Sequence, residues 1–236
     1  MTAGESTARG RDTFSGSSSA DGYWRSGEAD TQMQRGNLCV WEAMAELEAS
    51  ALPTATVLDV GCNMGGFLRF LHDRYGVARA LGFDPASGAI DAAREQNGDR
   101  PIEYVAAGRP AASWPRVDLA FSQEVVYLVD DLEQHADDLW HALRDGGRYI
   151  AVTSVHRDSP LMSDWHAANA EPLGLPPLRD VDAYLAPFVA RGFHAEIGRL
   201  QVRTVPIDPS QLGQAWELLD FWTRTNDKVL FRFVKA

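Results

Sequence analysis

The stretch Val57-Leu58-Asp59-Val60-Gly61-Cys62-Asn63-Met64-Gly65-Gly66-Phe67-Leu68 constrains this chain more than any other. Thr56 to Val60 is a short β-branched and apolar run, suited to a buried strand. Glycines follow at once, and Phe67-Leu68-Arg69-Phe70-Leu71 then opens a helical pattern. A strand that runs into Gly-rich backbone and then a helix presents N–H groups and a helix N-terminus to whatever sits above it. Glycine is needed where a Cβ would block a ligand's approach, or where the turn demands positive φ. Asn63 stands where a third glycine is expected, a mild substitution because Asn tolerates the left-handed region.

The rest of the chain repeats the strand–helix alternation. A helix is expected from about Met33 to Leu52, with Leu38, Val40, Trp41, Met44, Ala45 and Leu47 on its apolar face and Pro53 ending it. Further strands read at Ala80 to Phe83, Ile102 to Val105, Val117 to Phe121 and Arg148 to Val152. Helices read at Ser87 to Gln96 and Asp130 to Arg144, the latter stopped by Gly146-Gly147. Such alternation implies parallel pairing through right-handed crossovers. The last third differs: a helix from Asp180 to Ala190, a long strand from His194 to Val205, a short helix between Gln211 and Thr223, and a final strand from Lys228 to Val234. Those closing strands can pair antiparallel. The expected fold is therefore α/β, mostly parallel, with helices on both faces and an antiparallel edge.

Asp84 ends the second strand, 25 residues after Asp59. In a doubly wound sheet that carboxylate faces the ligand crevice and can accept from both hydroxyls of a ribose. As a bare feature it reads equally well as the start of a helix at Asp84-Pro85. Together with the glycine loop it points to a nucleoside-containing cofactor. A dinucleotide fingerprint matches at Gly61 and Gly66 with Asn63 between; the pattern Asp59-x-Gly61-x-Asn63-x-Gly65 equally suits S-adenosylmethionine. Spacing leaves both open.

Composition narrows the partners. A formal net charge of −11 opposes a polyanion, and no Lys/Arg run offsets it, so nucleic acid is not expected. Cys39 and Cys62 do not make a disulfide framework and read as reduced thiols in a cytoplasmic protein. No run of about 18 apolar residues is present, so no membrane partner is expected. Residues 1–20, rich in Ser, Gly and Thr, read as a disordered tail, and residues 21–236 as one domain.

The residues from about Thr56 to Val234 resemble the class I, Rossmann-like S-adenosylmethionine-dependent methyltransferase family of the small-molecule type. VLDVGCNMGGFLRFL resembles its first motif, LGFDPASGAIDAAR its second-strand motif, and VDLAFSQEVVYLVDDLEQHADDLWHALRDGGRYIAV its fourth strand, helix and fifth strand. KVLFRFVKA looks like its seventh strand, which in that family lies antiparallel between the fifth and sixth. A dehydrogenase does not predict that ending. The resemblance implies a seven-stranded sheet and S-adenosylmethionine as cofactor. It places Gly61, Cys62, Asn63 and Gly65 at the methionine end, with Asp59 as the motif acid among the cofactor-binding residues, Asp84 on the ribose, Pro85 or its neighbour on the adenine and Gln123 beside the transferred group. One departure is plain: Ala106-Ala107-Gly108-Arg109 has no carboxylate for the adenine amine.

Methyl transfer is an in-line displacement in which the protein aligns the partners, sometimes with a base. Candidates at strand C-termini are His156 after the fifth strand and Tyr127 after the fourth; each has a bland reading, as a solvated loop histidine and a packing tyrosine. His166 and Asp164 lack metal-ligand spacing, and no metal is expected. Segments 21–50, 157–178 and 206–227 are expected to cover an acceptor, with Tyr23, Trp24, Trp165 and Trp222 (and Trp216 and Phe221) lining it or packing the core. The favoured function is methylation of a small, partly apolar or aromatic molecule at O, N or C, in a monomer or homodimer, of the kind found in secondary metabolism and biosynthesis. The alternatives are a protein or RNA methyltransferase, opposed by Ser122-Gln123-Glu124-Val125, and a non-catalytic binding protein, opposed by intact Gly61, Gly65 and Asp84.

Overall fold

The computed structural model describes residues 27–202, 207, 212–217, 219 and 228–236. In chain order these form α1 (Gly27–Glu46), β1 (Thr56–Val60), α2 (Gly66–Tyr75), β2 (Arg79–Asp84), α3 (Ser87–Glu95), β3 (Ile102–Ala106), β4 (Val117–Gln123), α4 (Leu132–Ala142), β5 (Leu143–Thr153), α5 (Pro160–Leu173), α6 (Val181–Arg191), β6 (Phe193–Arg199) and β7 (Val229–Lys235). One seven-stranded sheet runs β3-β2-β1-β4-β5-β7-β6. All pairings from β3 to β5 are parallel, whereas β7 is antiparallel to both β5 and β6. The expected Rossmann-like architecture with its inverted last strand is the one found. The expected tail, residues 1–20, lies outside the described residues.

Alternation along each strand divides the core between two faces. Val57 and Phe121 join the cluster under α1, α2 and α3, with Met44, Leu68 and Ile90. Leu58 and Ala120 join the other, under α4 and α6, with Leu139, Tyr149 and Phe188. Within that second face His135 of α4 is fully enclosed, its Nε2 3.3 Å from the Tyr149 hydroxyl, which lies 2.7 Å from Ser122 Oγ. Burial pushes the His135 pKa down to about 4.

Element ends depart from expectation for identifiable reasons. α1 ends at Glu46 and a turn follows, in which the buried Glu48 carboxylate is gripped by Arg148 and Arg232, each at 3.0 Å. α4 stops at Ala142 because the Lys235 ammonium takes the carbonyls of Trp140 and Leu143, at 2.8 and 2.9 Å. A cation there suits the negative end of a helix. β6 ends at Arg199, short of the expected Val205, although Leu200 N–H still donates to Lys228 O. No helix joins β3 to β4. A loop with Trp114 crosses instead, leaving a cleft of about 310 Å³ against α4. That cleft flanks the sheet, away from the strand C-termini, and its Arg109 is committed to Asp138 of α4.

Candidate functional site

The C-terminal ends of β1 and β2 make one corner of the crevice. Gly61 N–H and Cys62 N–H both donate to Phe83 O, at 2.9 and 3.0 Å, which fastens the loop after β1 to the end of β2. The Asp84 carboxylate continues the seam: Oδ2 accepts from Asn63 N–H at 3.0 Å and Oδ1 from Ala86 N–H at 2.8 Å. Asp84 therefore both supports the turn into α3 and anchors the loop of β1. Gly61, Asn63 and Gly65 all have positive φ, at 69°, 47° and 73°. The protein's own packing makes the glycines necessary as well: a Cβ on Gly61 would lie 2.6 Å from Val125 Cγ2, and one on Gly65 2.5 Å from the Tyr104 hydroxyl.

Two buried titratable groups belong to this corner, Asp59 at the end of β1 and Cys62 in the loop itself. Burial pushes the Asp59 carboxyl well above its usual range, and the Asp84 charge pushes the same way. Burial likewise raises the Cys62 thiol, with Asp59 and Asp84 adding to it. Cys62 Sγ lies 2.9 Å from where a Cβ on Gly82 would stand, so the small side chain is a packing requirement. Cys39 and Cys62 are both buried, and neither forms a disulfide among the described residues.

The ends of β4 and β5 make the second corner. Gln123 closes β4 and donates from Nε2 to Asn37 Oδ1 of α1 at 2.8 Å, while its own Oε1 is buried and unpartnered. Asn63 Oδ1 is likewise buried and unpartnered. Glu124 follows with φ 53°, and among the described residues only it and Asn63 adopt positive φ without being glycine. Its carboxylate accepts from Thr153 Oγ1 at 2.9 Å, Ser154 N–H at 3.0 Å, Ser154 Oγ at 2.8 Å, and Lys228 Nζ.

A methyltransferase domain family matches residues 58–151, which run from β1 through most of β5. Malonyl-[acyl-carrier protein] O-methyltransferase of Enterobacter lignolyticus is 33% identical over 131 residues, 55% of this chain and 50% of that one. The chain spans about half the length of two of the curated relatives it matches, and 21% of a third. Among solved structures, an S-adenosylmethionine-dependent methyltransferase from Mesorhizobium loti superposes with a TM-score of 0.59 at 18% identity, over 81% of this chain and 97% of that one. Geranyl diphosphate C-methyltransferase from Streptomyces coelicolor A3(2), solved with Mg2+, geranyl diphosphate and S-adenosyl-L-homocysteine, gives 0.58 at 20% identity, over 83% and 77%. At such identities the structural likeness is one of fold. Residues 58–151 thus match a methyltransferase domain, and the fold that surrounds them is the one seen in S-adenosylmethionine-dependent methyltransferases.

The expected acceptor residues fall into three groups. Tyr127, in the 3-10 turn Val126–Leu128, meets Trp165 of α5 edge to face, with centroids 6.1 Å apart. His156 lies three residues past β5 (Thr153), is 7% exposed, and leaves Nδ1 without a partner. Its pKa is lowered by burial and by Arg199, against the opposing charges of Asp158 and Glu124. Trp216, by contrast, is 74% exposed. Tyr23, Trp24, Phe221 and Trp222 lie outside the described residues. His166 is structural: its Nε2 meets Pro176 O at 2.8 Å and ties the end of α5 to the chain beyond it. Among the described residues no trio of His, Cys, Asp or Glu could hold a metal, and no helix is long and apolar enough to cross a membrane.

Sequence reasoning passed over Asn37, Glu124 and Lys228. The one signal for Glu124 is an acid placed directly after a strand that feeds the crevice. Lys228 and Asn37 give none, because their partners come from distant parts of the chain.

Proposed function

We propose that this methyltransferase moves the methyl group of S-adenosylmethionine onto a small, partly apolar organic acceptor. One observation carries the reading: the buried amide oxygens of Asn63 and Gln123 lack donors at the ends of neighbouring strands β1 and β4. Leaving a buried acceptor unmade costs about 1–3 kcal/mol. The cofactor's methionine end carries an ammonium group that suits both oxygens, so the residues present fit it. Gly61, Cys62 and Gly65 give close backbone approach at the N-terminus of α2, where a carboxylate is welcome. Asp59 lies under that loop as its buried acid. Asp84 receives the ribose hydroxyls in exchange for part of its present bonding, and Pro85 packs on the adenine. The adenine amine, a donor, falls to the backbone carbonyls of residues 106–108, since no carboxylate stands in that stretch.

Bound S-adenosylmethionine supplies an electrophilic methyl carbon attached to a sulfonium. The chain's own contribution is to orient the acceptor and, where its nucleophile carries a proton, to remove it. Tyr127 and Trp165 supply an apolar wall, and His156 supplies a base. Its lowered pKa keeps the imidazole neutral at neutral pH, with a buried ring nitrogen open to a proton. The names of two similar proteins support acceptors that carry acidic groups, malonyl-[acyl-carrier protein] and geranyl diphosphate.

Calorimetric titration with S-adenosylhomocysteine tests the cofactor assignment, and micromolar binding is expected. His156→Ala is expected to keep that affinity while turnover falls by about 10²–10⁴-fold. Wild-type turnover is expected to fall as pH drops through the depressed His156 pKa, because the protonated ring takes no proton. A flat profile removes His156 from the reaction.

A further inference from the structure

We infer that Glu124 is a positioning residue: it holds the end of β4 in a left-handed turn that sets Gln123 and Val125 for the cofactor, and Lys228 completes the hold. This rests on the cofactor assignment above.

The left-handed region is unfavourable for a residue with a Cβ, and such outliers persist where the surroundings over-determine them. At Glu124 the surroundings do so. Its N–H stays in the ladder, donating to Val152 O at 2.9 Å, so the kink is held on the backbone side. On the other side the carboxylate is tied to Thr153 and Ser154 at the end of β5. Lys228, only 7% exposed, adds its ammonium from the residue before β7. A buried ammonium requires a paired anion, so the lysine is committed to this carboxylate as firmly as the carboxylate is to it.

The two neighbours of Glu124 connect the turn to the site. Gln123 carries one of the two unpartnered amide oxygens. Val125 packs against Gly61, at van der Waals range of the loop after β1. Relaxing residue 124 toward ordinary φ rotates both flanking peptides, and therefore shifts an acceptor on β4 and the support of the loop on β1 together. Glu124 itself need not touch the cofactor.

Glycine and alanine separate this role from a plain ion pair. Both delete the carboxylate, but only glycine enters the left-handed region without strain. We would titrate wild type, Glu124→Ala and Glu124→Gly with S-adenosylhomocysteine, far below their thermal midpoints. Glu124→Ala is expected to bind about 5–30-fold more weakly, the factor matching the cost of a left-handed residue with a Cβ, and Glu124→Gly to recover most of that loss. Wild-type affinity in both variants overturns the inference, because a merely structural pair lowers the midpoint alone. Equal losses also overturn it, since the carboxylate would then be acting directly. If Glu124→Ala does not fold, Lys228→Met makes the same test: weaker binding is expected, and unchanged binding overturns the inference. Failure of the wild type to bind overturns the cofactor assignment itself.

Discussion

The two corners of the crevice solve one problem by opposite means. At the end of β1, Asn63 is left-handed and is held by its backbone, whose N–H is tied to the Asp84 carboxylate. At the end of β4, Glu124 is left-handed and is held by its side chain. The first arrangement leaves the Asn63 amide oxygen without a donor. The second spends the side chain on the scaffold, and it is the preceding Gln123 whose amide oxygen stays unpartnered. A strained turn can therefore present chemistry either through its own side chain or through its neighbour's, depending on which part of the residue the scaffold grips.

The β1 corner breaks most completely through Gly65→Ala. Positive φ and a Cβ driven into the Tyr104 ring together cost roughly 2–5 kcal/mol, read by urea unfolding, with binding of S-adenosylhomocysteine lost. Unchanged stability would mean that Tyr104 moves aside freely.

Each corner also stands over a buried titratable group, and the two run in opposite directions. His135, under β4 and β5, has a folded pKa of about 4 against 6.5 unfolded. Its contribution is complete above the unfolded value and is lost as pH falls from 6.5 toward 4, by up to about 3 kcal/mol. Thermal midpoints across that window in wild type and His135→Phe measure the slope; equal slopes would assign it to other groups.

Asp84→Ala removes the acceptor of two N–H groups and is expected to weaken S-adenosylhomocysteine by about 1.5–3 kcal/mol. Unchanged affinity would reduce Asp84 to a support for the turn into α3. The smallest effect belongs to Asp59, under β1. Its raised pKa means that stability falls as pH rises past the usual carboxylate range, the reverse of His135. Asp59→Asn is accordingly expected to hold or raise the thermal midpoint at neutral pH, and a clear drop would show that the carboxylate makes a bond worth more than its burial.

What could be read in advance was whatever is decided locally. β1 shows its limits, Thr56 and Val60, because an apolar run meets glycine directly, and the inverted β7 announces itself in KVLFRFV. Gly61, Asn63, Gly65 and Asp84 are brought to one corner as their spacing implied. The errors lie where the deciding partner is remote. The end of α4 is set by Lys235, the end of α1 by Arg148 and Arg232, and the turn at Glu124 by Lys228. No window of neighbouring residues contains such partners. The β3–β4 connection is a loop whose Trp114 indole donates to Glu103 at 2.6 Å.

The place of β7 has a consequence for how the molecule is made. It follows β6 in the chain, yet it sits between β5 and β6 rather than at an edge. During synthesis β6 therefore emerges with no strand to join, and β5 keeps a bare edge of main-chain donors and acceptors until β7 arrives. The sheet closes by insertion, through pairings distant in sequence, a slow class of folding step. A ribosome that stalls shortly before Lys228 holds a chain with the glycine loop built, the carboxylate of Glu124 waiting for its cation, and two sticky edges exposed to other nascent chains.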